Sequence, residues 1–139
     1  MRTLLAALFL VAGLVVFPAA AESPLVVDIP FPFYAGDKLL PAGEYAIGPF
    51  DGSPTLFRVT SRGGGAILTN HLVRDSKQGE RTCVQFNKYS GDRYFLAAVN
   101  VEGGLSRTMM KSERERQVVT STLITGLKPN TVTLLARLR

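Results

Sequence analysis

Residues 81–101 read RTCVQFNKYSGDRYFLAAVNV, and this stretch decides the fold. Arg81 to Tyr89 and Arg93 to Val101 are two β-rich arms joined through the turn formers Ser90-Gly91-Asp92. In the second arm both alternating sets are apolar. Tyr94, Leu96 and Ala98 share one face; Phe95, Ala97, Val99 and Val101 share the other. A strand apolar on both sides is central in its sheet or covered by another layer. This hairpin is therefore the expected folding core, with Phe95 buried in it.

Upstream of it, short β-rich runs alternate with Gly, Pro, Asn and Asp. Leu25 to Phe33 reads as a strand in which Val27, Ile29, Phe31 and Phe33 alternate with Val26, Asp28, Pro30 and Pro32. The two prolines cannot donate ladder hydrogen bonds, so the end of this strand is expected at an edge or bending away. Leu40-Pro41-Ala42-Gly43 has tight-turn chemistry, and Glu44 to Phe50 follows as a strand. Asp51-Gly52-Ser53-Pro54 turns the chain into Thr55 to Thr60. Gly63-Gly64-Gly65 leads into the strand-like Ala66 to Asn70 with no GK[ST] after it, so it reads as a hairpin loop rather than a phosphate cradle.

Downstream, Gly103-Gly104 ends the second arm. Ser112-Glu113-Arg114-Glu115 fits a helix-start capping box, with Ser112 accepting from the amide three residues on and Glu115 reaching back. Val118 to Thr122 is β-branched and a poor helix former, so residues 118–125 read as helix or strand. Gly126 and Pro129 close the segment, and Thr131 to Leu138 is a final strand. Six or seven short strands and one short C-terminal helix predict a mainly β domain. Its form is a β-sandwich or a small open barrel, with the helix packed at an end or edge.

The first residues carry the three parts of a secretory signal: Arg2, an apolar run from Leu4 to Phe17 ended by Pro18, and the small residues Ala19-Ala20-Ala21. Cleavage is expected before Glu22. The run is shorter than the roughly 20 apolar residues of a spanning helix, and no later stretch is long and apolar enough to span. Residues 22–139 are then one exported domain, in a periplasm or beyond it.

Formal charge is +5, from 16 Lys and Arg against 11 Asp and Glu. The basic residues are spread from Lys38 to Arg139 without a run or stripe, which excludes nucleic acid as the expected partner. Cys83 is the only cysteine, so no internal disulfide forms, and stability must come from apolar burial. Absence of Trp argues against a carbohydrate-stacking site, although Tyr and Phe also stack.

Several blocks together resemble a group of small exported β proteins common in acidobacteria. They are Ile29-Pro30-Phe31-Pro32-Phe33 with Gly36 and Leu40-Pro41-Ala42-Gly43-Glu44-Tyr45, then Phe86 to Phe95 with its Tyr-x-Gly-Asp-x-Tyr-Phe turn. Lys111 to Arg116 and Lys128-Pro129-Asn130-Thr131-Val132 complete the series. The resemblance covers nearly all of residues 22–139 and implies an exported, single-domain β protein; it carries over no functional residue. Asn87 stands where that group has a histidine before the hairpin turn, and the run after Arg116 is less helical than in the group.

No catalytic, cofactor or metal constellation is assembled in the sequence. His71 is the only histidine; Asp75 is near it, but no GxSxG or CxxC accompanies them. Cys83 falls on the face opposite Val84 and Phe86, partly exposed, where a small packed thiol is the ordinary reading. One His and one Cys show no metal-ligand spacing. Asp28, Asp37, Glu44, Asp51, Asp92 and Glu102 are scattered, and Asp92 serves the hairpin turn. Aromatics concentrate in the first strand and the central hairpin. Most must pack the core, while Phe33, Tyr45 and Tyr94 are the candidates to line a groove for an apolar ligand. The expected function is a non-enzymatic envelope binding or interaction module of unspecified partner, one variant of which binds a small apolar ligand. The alternative is a structural module recruiting an envelope protein through an exposed strand edge, and a hydrolase ranks last.

Overall fold

Along the described part of the chain, residues 23–50, 55–75 and 81–139 of a computed structural model, eleven strands and one helix follow in order. They are β1 (Leu25–Ile29), β2 (Phe33–Ala35), β3 (Lys38–Leu40), β4 (Gly43–Pro49), β5 (Leu56–Ser61), β6 (Gly64–Asp75), β7 (Cys83–Tyr89), β8 (Arg93–Asn100), β9 (Leu105–Met109), α1 (Glu113–Thr125), β10 (Asn130–Leu135) and β11 (Arg137–Leu138). The signal reading of residues 1–21 and the turn through Asp51-Gly52-Ser53-Pro54 lie outside the described residues.

Two sheets face each other as a sandwich. One runs β11-β1-β4-β5-β6; the other runs β10-β7-β8-β9-β6, with the β2–β3 hairpin attached through a parallel pairing of Tyr34 with Phe95. Three segments pass between the sheets. Pro30-Phe31-Pro32 breaks the first run, so that β1 pairs in one sheet and β2 in the other, as expected of residues that interrupt a ladder. β6 pairs β5 up to Asn70 and β9 from His71 onward. The last segment places β10 on β7 and β11 on β1, with Ala136 between them. The core lies between the sheets: Val27, Ile47 and Phe57 come from one, Phe33, Phe86 and Val99 from the other.

The count of strands exceeds the six or seven expected for physical reasons. β2, β3 and β11 have two or three residues each, too few for an alternation to register. β9 reads Leu-Ser-Arg-Thr-Met, and burial of Ser106 and Arg107 is the reverse of what their polarity suggests. Arg107 is accommodated by lying 4.9 Å over the Phe57 ring.

The central hairpin forms as β7 and β8, with one correction to its faces. Phe86 pairs with Leu96 but Gln85 with Ala98, so Ala97 is an extra residue in β8. This bulge reverses the alternation. Tyr94 and Leu96 before it, and Val99 and Val101 after it, all pack on the sandwich core. Phe95 is instead on the outer face, in a second cluster with Tyr89 and Val118. It is nonetheless buried, because α1 covers that face.

α1 is helical through Thr125, which settles residues 118–125. Ser112 Oγ accepts from the Glu115 amide at 3.2 Å, and Gly126 ends the helix in the left-handed region at φ 72°. The β-branched run is held by hydroxyls that donate back to carbonyls four residues earlier, Thr120 to Arg116 at 3.0 Å and Thr122 to Val118 at 2.8 Å. No helix among the described residues is long and apolar enough to cross a membrane.

Candidate functional site

The outer face of the second sheet carries the residues that alternate away from the core. On β7 these are Asn87 and Tyr89; on β8 they are Arg93 and Phe95, directly opposite in register. Tyr34 of β2 lies beside Phe95, with the rings stacked at 4.7 Å. α1 is laid over this surface and tied at two points. Asp37, in the turn after β2, accepts the Arg114 amide through Oδ1 at 3.0 Å. Glu115 points inward rather than back toward its own helix start: Oε1 accepts from Asn87 Nδ2 and Tyr89 Oη, both at 2.9 Å. Only the serine half of the expected capping box is therefore made. Lys111 Nζ, 3.4 Å from the same oxygen, supplies the countercharge.

Burial and the neighbouring Glu115 carboxylate hold the Tyr89 phenol well above its ordinary range, burial being the larger cause. Tyr89 is thus a neutral donor, and the Glu115 contact is a structural tie between helix and sheet.

With the helix so fixed, one of its faces and the sheet enclose a cleft of about 250 Å³. Arg114, Gln117, Val118 and Ser121 line it from α1, at the three- and four-residue spacing that puts side chains on one helix face. Arg93, Phe95 and Tyr34 line it from the sheet. Phe95 and Val118 are buried and form an apolar floor, whereas Arg93, Arg114, Gln117 and Ser121 are exposed at the rim. Arg114 places its guanidinium 5.5 Å from the Tyr34 ring centre, and Arg93 Nε donates to Ser90 O at 3.0 Å. Ser121 donates its hydroxyl to the Gln117 carbonyl at 3.1 Å.

The residues singled out from sequence fall elsewhere. Phe33 and Tyr45 are buried in the core, with ring centres 5.1 Å apart and edge to face. Tyr45 Oη donates to Pro41 O at 2.6 Å, which ties the Leu40–Gly43 turn to the core; Tyr45 also borders two other openings of about 200 and 270 Å³. Tyr94 is half-buried and stacks on Phe31 at 3.8 Å. A chain of ring contacts, Tyr94–Phe31–Phe86–Phe33–Tyr45, links the three, but they do not share one cavity.

Cys83 is buried rather than partly exposed, and its Sγ accepts from Asn100 Nδ2 at 3.5 Å. Cys83 sits in β7 between β10 and β8, opposite Leu135 and Asn100 in register, and the Asn100 amide reaches its thiol. His71 has its backbone in β6 opposite Met109, and its side chain, like that of Asp75, lies outside the described residues. Asp92 takes a left-handed turn conformation at φ 52° and pairs with Lys88 at 3.3 Å, while Glu44 is 3.4 Å from Arg137.

Sequence reasoning missed Arg93, Arg114, Gln117 and Ser121. The signal for Arg93 was present, since Arg93 and Phe95 are two apart in the strand and must share a face. That this face is the one beneath the helix depends on the Ala97 bulge, which no local pattern announces. No family model, curated protein or solved structure matches the chain.

Proposed function

We propose that this chain is an exported, non-enzymatic binding module of the cell envelope, holding a small ligand in the cleft between α1 and the second sheet. One observation carries the reading. The cleft joins a buried apolar floor, Phe95 and Val118, to a rim of polar side chains from two separate elements, β8 and α1. Small-molecule sites have this composition, an apolar body with a few converging polar groups. At about 250 Å³ the cleft suits a metabolite rather than a polymer segment.

Native mass spectrometry of protein produced with its own first 21 residues and recovered from a bacterial periplasm tests this reading. The expected spectrum shows a polypeptide starting at Glu22 with a bound adduct lost on denaturation. A clean, unliganded mass at several growth conditions would count against ligand binding.

The strand-edge alternative draws on a different observation. Among the described residues β10 and β11 each have a single pairing partner, and Leu135 and Leu138 on them are 67% and 53% exposed. Crosslinking in whole cells separates the two readings, because only this one predicts a specific protein adduct lost in Leu135→Lys.

A further inference from the structure

Three of the basic groups around the second sheet are ion-paired. Lys88 sits 3.3 Å from Asp92, Lys111 3.4 Å from Glu115, and Arg116 3.4 Å from Glu113. Arg93 and Arg114, at the cleft, meet no carboxylate among the described residues, and no acidic side chain lines the cleft. Glu115, adjacent to Arg114 in sequence, is already taken up by Asn87, Tyr89 and Lys111 and does not line the cleft.

Resting on the cleft as the binding site, we infer that its ligand is a small oxyanion, a carboxylate or phosphate carried on a flat apolar body. The fork of an arginine matches such oxygens in pairs. Arg93 is anchored through Nε, with no hydrogen bond from the described residues engaging its terminal nitrogens, and Arg114 lies 5.5 Å from the Tyr34 ring centre. Gln117 adds an amide to the lining from the helix face. Phe95 and Val118 close the base of the cleft, the half-buried Tyr34 ring offers apolar surface for the ligand body, and the volume corresponds to about eight waters, or about ten non-hydrogen atoms. With two arginines and no acidic side chain in its lining, the cleft presents positive charge to an arriving anion.

Amide NMR titration of the recovered protein tests the assignment, with phenyl phosphate, benzoate, phenol and inorganic phosphate as probes. Phenyl phosphate and benzoate are expected to shift signals around Arg93, Phe95, Arg114 and Ser121, at least about tenfold more tightly than phenol does. Arg93→Gln and Arg114→Gln should each weaken phenyl phosphate by about tenfold or more, with melting temperature unchanged because both side chains are exposed. Raised salt should weaken the anions and leave phenol alone.

Phenol binding as tightly as phenyl phosphate would overturn the anion assignment and leave the cleft reading standing. Inorganic phosphate binding as tightly as phenyl phosphate would overturn the apolar body. Failure of every probe to move cleft signals would also overturn the assignment. The cleft reading itself is judged independently, by whether the native adduct survives a variant that fills the cleft.

Discussion

Glu115 shows how a single buried carboxylate can fix an element on a sheet. Its Oε1 is the acceptor for both Asn87 and Tyr89, and Lys111 keeps the charge compensated. Glu115→Ala should therefore destabilise the fold by about 2 kcal/mol in chemical denaturation, because two donors lose their acceptor beneath the helix. Glu115→Gln keeps an acceptor oxygen and should cost less. Equal and negligible losses for both would show that the tie is not structural. Tyr89 adds a pH dependence of definite sign. Its phenol ionises near the ordinary 10.0 when unfolded and at higher pH when folded. Its contribution to stability is thus complete below about pH 10 and lost as pH rises toward the folded value. Tyr89→Phe should lower stability at pH 7 and flatten the alkaline fall; an alkaline slope unchanged from the parent would contradict the assignment.

At the scale of elements, α1 is the instructive case. Val118 to Thr122 has strand propensity, yet the segment is helical because its two ends are capped and its inner face is tied to β7. Thr120 is exposed and contributes only a back-bond to Arg116. Thr120→Ala should consequently stabilise by about 0.5 kcal/mol, the reverse of the outcome for an exposed strand position. Thermal denaturation of the pair decides it.

The helix start was legible in Ser112, and the hairpin in residues 83–100, since capping and period-2 apolarity are local signals. The bulge at Ala97 was not, because its cause is pairing with β7. The cleft shares that fate: Arg114, Gln117 and Ser121 form one face of a readable helix, but which surface that face meets is fixed by Asp37 and Glu115 contacts 77 and 26 to 28 residues distant in sequence. Phe33 and Tyr45 drew attention as aromatics and became core for the same reason that aromatics usually do, the area they bury.

For the molecule as a whole, the three segments that cross between sheets make the two layers one cooperative unit. Neither sheet keeps its core face without the other, since the main apolar cluster draws on both. Denaturant unfolding followed by tyrosine fluorescence and by far-ultraviolet circular dichroism should give coincident single transitions. Two separated transitions would mean that the sheets are independently stable. The cooperative sandwich in turn is what makes a small, fixed cleft under a tethered helix possible.

The most direct test of that cleft as a ligand site is native mass spectrometry of the parent beside Ser121→Trp. Ser121 is exposed at the rim, so the indole fills the cleft without entering the core. The account predicts an adduct on the parent that disappears in Ser121→Trp while the melting temperature holds. An adduct retained in full by Ser121→Trp would contradict it and place the ligand elsewhere on the molecule.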